Sequence, residues 1–273
     1  FMKYEVINKN NALTYVSDED IRQAFDSKEP FKREIVRAMG LTNNEDYLPY
    51  LYQALYDESF IIRLDAAQSI FMINAEKGLS ELKKRNEAID DSELETEPSE
   101  KANLLARIMR IEKGVEGIKE YILSDDGYDI VKYCCITYYG CGYRYHEEDV
   151  ELLWFVMDCF LNKEKKWMKD LSYQEYREFI YFGLESIWLA GRESDILNKV
   201  SEELNQKIYH MITRVMNQKP TTDMKELIAE ISKYMKEPYA MKILALLKHH
   251  VSGDAKREYK KSLKKWNITE EEL

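Results

Sequence analysis

Between Tyr47 and Ile73 the chain reads YLPYLYQALYDESFIIRLDAAQSIFMI, and its apolar positions recur at helical spacing rather than in strict alternation. Leu48, Leu51, Tyr52 and Leu55 fall at i, i+3, i+4 and i+7, one stripe of a helix expected from about Asp46 to Tyr56. Asn44 or Asp46 can accept from the unpaired amides of its first turn, where Pro49 costs no hydrogen bond. Asp57-Glu58-Ser59 carries turn and cap chemistry. A second helix follows, with Ile62, Ala66, Ala67, Ile70, Phe71 and Ile73 on a broad apolar face, the alanine pair being small enough for another helix to come close.

The same pattern recurs along the chain. Pro30 opens a helix with Ile35, Val36 and Met39 inward and Gly40 as its expected end. Setting Lys32 against Arg63 lays Ile35-Val36 on Ala66-Ala67, a shift of about 31 residues and in the range of helical-hairpin repeats. A new helix is expected over Ala75–Arg85, and another from Pro98 or Ser99 with Leu104, Leu105, Ile108 and Met109 inward. Gly114–Gly140 repeats the opening unit: aligning Lys132 with Arg63 puts Asp126 on Asp57 and Cys135-Ile136 on Ala66-Ala67. Cys135 then stands where a small apolar residue belongs, and a buried thiol behaves as one. Further helices are expected from Glu147 or Glu148 to near Asn162, from Tyr173 to Ala190 with Gly191 closing it, and from Ser194 to Met216. A last pair spans about Asp223–Met235 and Pro238–His250, before a basic helical tail over Lys256–Lys265 that gives the array a polar end.

The string L-P-x-L-x-x-A-L-x-D-x-S-x-x-I-R-x-D-A-A-x-S-I, from Leu48 to Ile70, resembles a HEAT repeat of the short bacterial HEAT-like type. The resemblance implies an all-α, right-handed α-solenoid of about six hairpins, forming one domain over 1–273. It also implies structural roles for Asp57, Arg63 and Ala66, and by alignment for Asp126, Lys132 and Cys135, in tying neighbouring repeats together.

Composition narrows the function. The net charge of -10 argues against nucleic acid as a partner and suits a basic protein. From Glu87 to Glu100 no basic residue occurs, and 87–100 is expected to be an exposed acidic insertion. No stretch reaches the roughly 18 apolar residues needed to span a bilayer, and no leader is evident, so a cytoplasmic chain is expected. Four cysteines in a chain of this length make no disulfide framework and are expected to be reduced.

Tyr138, Tyr139, Tyr143, Arg144, Tyr145 and His146, interrupted by two glycines, are the candidate partner-binding residues, because tyrosine and arginine supply large amphipathic contacts. Lys163–Lys169 forms a basic and aromatic patch around Trp167. Cys134, Cys135, Cys141 and His146 lack metal-ligand spacing, since adjacent helical residues diverge by about 100°. No nucleotide-binding or hydrolase motif is present, and no catalytic residue, cofactor or metal is expected. The leading expectation is a non-enzymatic protein-binding solenoid, such as a bacterial immunity protein or regulator with a basic partner. A HEAT-like DNA glycosylase acting on modified bases and an architectural scaffold are the other classes the resemblance leaves open.

Overall fold

In a computed structural model of the chain, the residues described are 19, 32–90, 98–124 and 146–273. They are all-α: eleven helices are delimited among them, and none of these is long and apolar enough to cross a membrane. The chain divides into two compact units, Phe1–Gly117 and Ile118–Leu273.

In the first unit, α1 (Lys32–Leu41) and α2 (Leu48–Ala54, entered through a 3-10 turn at Glu45–Tyr47) both pack on α3 (Phe60–Ala88). Asn44 caps the 3-10 turn, its side-chain oxygen accepting from the Asp46 amide at 3.0 Å. Ile35, Val36, Met39, Ala66, Ala67 and Ile70, aligned by the repeat, are all buried in one core with Leu51, Leu55, Leu82 and Leu104. α3 is two helices joined at Asn74, whose φ of -160° and ψ of 98° leave the helical region. The Asn74 side chain accepts from the Lys77 amide at 3.0 Å and donates to Glu45 at 2.7 Å, capping the second segment and holding it to the 3-10 turn.

α4 (Pro98–Leu123) also turns once, at Gly114, where φ is +67°. That left-handed conformation is open to glycine without steric cost, so the break falls there. Gly40, by contrast, does not end α1. The helix runs on through Leu41, and Asn43 takes the left-handed conformation at φ 57°. Gly40 is instead a point of close approach, because a Cβ there would meet Ser69 Oγ at 2.6 Å and Ser69 Cα at 2.8 Å. The Ser69 hydroxyl donates to the Val36 carbonyl at 2.9 Å, 33 residues earlier.

Asp57, Arg63 and Ala66 lie at this packing surface. Asp57 accepts from the Ser59 amide at 2.8 Å and pairs with Lys32 of α1 at 2.5 Å. Arg63 donates to the Asp57 and Glu58 carbonyls at 2.9 and 3.1 Å, and its Nε reaches Glu100 at 2.7 Å. Arg85 donates to the other oxygen of Glu100 at 2.6 Å. Glu100, the last residue of the acidic segment 87–100, is therefore buried between two arginines at 2% exposure. Of that segment, 87–88 close α3 and 91–97 lie outside the described residues.

In the second unit, α5 (Glu147–Asn162), α8 (Glu202–Asn217) and α10 (Glu237–Leu247) pack in one row. α7 (Tyr173–Ser194), α9 (Thr222–Ser232) and α11 (Gly253–Trp266) pack in a second row against it, with the short α6 (Lys166–Asp170) between α5 and α7 in the chain. Arg214 of α8 bridges Asp158 and Asn162 of α5 at 2.5 and 2.6 Å. The Ser262 hydroxyl of α11 donates to the Ala229 carbonyl of α9 at 2.7 Å, again 33 residues earlier. Lys233 joins Glu230 to Glu258 across the same pair of helices. Burial pushes the Glu230 carboxyl up, while its hydrogen bond with Glu258, reinforced by Lys261 and Lys233, holds Glu258 well below the usual carboxylate range.

Three sequence expectations are corrected in this unit. α7 ends at Ser194 with Asp195 left-handed, so Gly191 is not its terminus; a Cβ on Gly191 would meet Tyr234 at 2.8 Å. α8 begins at Glu202 with Ser201 as its cap, not at Ser194, the Ser201 side chain accepting from the Leu204 amide at 3.3 Å. Trp167 is not part of a surface patch. It is 5% exposed and packs edge-on against Phe160, which stacks on Phe179 at 4.3 Å.

A candidate acidic and aromatic cleft

α7 and α9 run side by side in the second row, and the cleft lies along the N-terminal turns of α7 and at the start of α9. Ser172 and Glu175 form a reciprocal capping box at the start of α7, with bonds of 3.2 and 2.8 Å. Thr221 caps α9 by accepting from the Met224 amide at 3.1 Å. Trp188 of α7 donates to Glu230 of α9 at 3.3 Å, and Tyr176 of α7 donates to Gln218, the residue that closes α8, at 2.9 Å. Between their starts α7 and α9 leave an open cleft of about 630 Å³.

Its wall on α7 follows from spacing. Tyr173, Arg177 and Tyr181 stand at i, i+4 and i+8 on one line of the helix, with Gln174, Glu178 and Phe182 beside them. Asp223 and the buried Met224 close it from α9. Tyr173 is 71% exposed at the mouth, the most exposed of the large hydrophobic residues described. Tyr181 meets Phe182 edge-on at 5.5 Å.

Two carboxylates, Glu178 and Asp223, and one guanidinium, Arg177, line the cleft. Burial pushes the Tyr181 hydroxyl up, and the carboxylates of Glu185, Asp223 and Glu226 push it further. Glu185, one turn beyond Tyr181, is also raised by burial, with Arg192 opposing. Glu178 takes a hydrogen bond from Gln174 at 2.9 Å. Among the described residues, none of Glu178, Glu185, Asp223 and Glu226 forms a salt bridge, whereas Glu230 further along α9 and Glu258 on α11 both do. Ring faces with unpaired carboxylates around them attract a cationic group.

Tyr138, Tyr139, Tyr143, Arg144 and Tyr145 lie outside the described residues, as do Asp126, Lys132 and Cys135. His146 precedes α5, exposed, its backbone amide donating to Asp149 at 2.8 Å. Cys159 is buried in α5, and burial pushes its thiol up to about 12, which leaves it protonated and unreactive at neutral pH. Sequence reading missed the cleft. Its one local signal is the Tyr173-Arg177-Tyr181 line, since Asp223 joins it from a helix some 50 residues further on.

The class that fold and site define is an all-α, multi-helix protein with an acidic, aromatic cleft. No family model and no curated protein matches the chain.

Proposed function

We propose that the chain is a non-enzymatic, protein-binding α-solenoid of HEAT-like hairpins whose partner is basic, and that the cleft at the start of α7 and α9 receives a cationic side chain of that partner. The observation that carries this reading is the pair of carboxylates lining the cleft beside its tyrosines, Glu178 and Asp223, neither of which forms a salt bridge among the described residues, in a chain of net charge -10. Bonds between helices 33 residues apart support the repeat reading. A bacterial immunity protein that neutralises a basic toxin, or a regulator acting by the same capture, would use such a surface.

The test is a titration of the full chain with a lysine- and arginine-rich peptide, an acidic peptide and duplex DNA over a range of salt. The basic peptide binds, its affinity falls with salt, and Glu178→Gln with Asp223→Asn weakens it by about 5- to 20-fold. Equal binding by wild type and the double variant would exclude the cleft. Preference for duplex DNA would favour the glycosylase-like class instead.

A further inference from the structure

Arg177 lies inside this cleft yet makes no salt bridge with any of its carboxylates. Its guanidinium stands 5.3 Å from the centroid of the Tyr173 ring, and Nη1 donates to the Tyr173 hydroxyl at 3.1 Å. Those two contacts hold it, half-buried in the second turn of α7, against the exposed Tyr173 of the first turn, where a stacked cation is weakly retained. Even with the guanidinium stacked on it, Tyr173 stays 71% exposed, so its ring keeps area for another planar ion.

We propose that Arg177 is a resident stand-in for an arginine of the partner: the cleft is a guanidinium receptor, and binding exchanges the chain's own arginine for an incoming one over Tyr173. This rests on the reading of the cleft as the partner site. Arginine fits better than lysine because a planar ion stacks on a ring and at the same time presents forked donors to carboxylates such as Glu178 and Asp223. Arg177 then acts as a competitor. It occupies the ring and adds a like charge against the guest, so its removal tightens binding, where loss of an ordinary contact residue would weaken it.

The experiment measures fluorescence anisotropy of a labelled glycine-serine peptide carrying two arginines, and of its two-lysine counterpart, against the full chain at low salt. Wild type, Arg177→Ala, Arg177→Lys and Tyr173→Ala are compared, each checked for helix content by circular dichroism. Arg177→Ala binds the arginine peptide about 2- to 5-fold tighter than wild type, Arg177→Lys lies between them, and Tyr173→Ala loses the preference for arginine over lysine. Binding by Arg177→Ala but not by wild type also supports the exchange. If wild type binds and Arg177→Ala binds equally or more weakly, the exchange is overturned while the cleft remains the partner site. If folded wild type and Arg177→Ala both fail to bind either peptide, the exchange and the reading beneath it fall together.

Discussion

Replacing Glu100 by alanine removes the acid that joins three helical segments of the first unit. The carboxylate accepts from Arg63 at 2.7 Å and from Arg85 at 2.6 Å, and the two arginine side chains are themselves only 8% and 7% exposed. Hydrogen bonds to charged groups contribute about 1.5–3 kcal/mol each, so a simple sum would give about 3–6 kcal/mol. That sum overstates the worth of the cluster, because burying three ions opposes it. The cost of the variant is set by what remains: two buried guanidinium groups without their shared counter-ion. Arg63 keeps the Asp57 and Glu58 carbonyls, and Arg85 keeps the Tyr56 ring at 5.8 Å. The expected loss is therefore about 3–5 kcal/mol, the range for breaking a buried pair, or roughly a thousandfold in the folded-to-unfolded ratio. The four tryptophans all lie beyond Gly117, so their fluorescence does not follow this unit directly. Urea unfolding read by hydrogen exchange in α3 peptides is the suitable assay. Replacing Arg63 and Arg85 by Met together with Glu100→Leu should restore most of the loss, since none of the three positions then carries a charge. A loss below about 1 kcal/mol for Glu100→Ala would refute the reasoning.

Two further outcomes follow from packing and titration. Gly40→Ala should cost about 1–3 kcal/mol in urea unfolding despite the better helix propensity of alanine, and adding Ser69→Gly should recover only part, because the α3 backbone at position 69 still stands 2.8 Å from the new methyl group; a stabilised Gly40→Ala protein would show that α1 and α3 do not approach so closely. Glu185 has its folded-state pKa raised by burial, so the native state binds more protons than the unfolded one and stability falls as pH rises through the folded value. Glu185→Gln should accordingly unfold at higher urea than wild type near neutral pH, with the difference vanishing as pH drops toward the ordinary carboxylate range, and a difference that grew on acidification would reverse the sign of the argument.

Local chemistry carried most of the element boundaries. The break at Asn74, the span Glu147–Asn162 and the last helix pair, α9 and α10, were legible because caps, prolines and apolar spacing act within a turn or two. Glycine misled at Gly40 and Gly191, for the same residue that ends a helix also lets two helices touch, and only the partner's position distinguishes the uses. Trp167 misled because its lysine neighbours are a local property while its burial against Phe160 and Phe179 is not. Glu100 was hidden in a run of similar acids; its two arginines stand 37 and 15 residues away. The cleft was invisible for the same reason, since α9 contributes Asp223 from across the fold.

A serine-to-carbonyl bond across 33 residues joins Ser69 to Val36 in the first unit and Ser262 to Ala229 in the second. A helix displaced by one residue along its neighbour would carry that hydroxyl about 1.5 Å along the axis and turn it by about 100°, out of reach of its acceptor. Each bond thus works as a ruler. Between the two helices it joins, loops can exchange length with one another, but residues can be gained or lost only in amounts that return the hydroxyl to its carbonyl. A graft that adds or removes a whole hairpin respects this measure; a single-residue insertion within either helix does not.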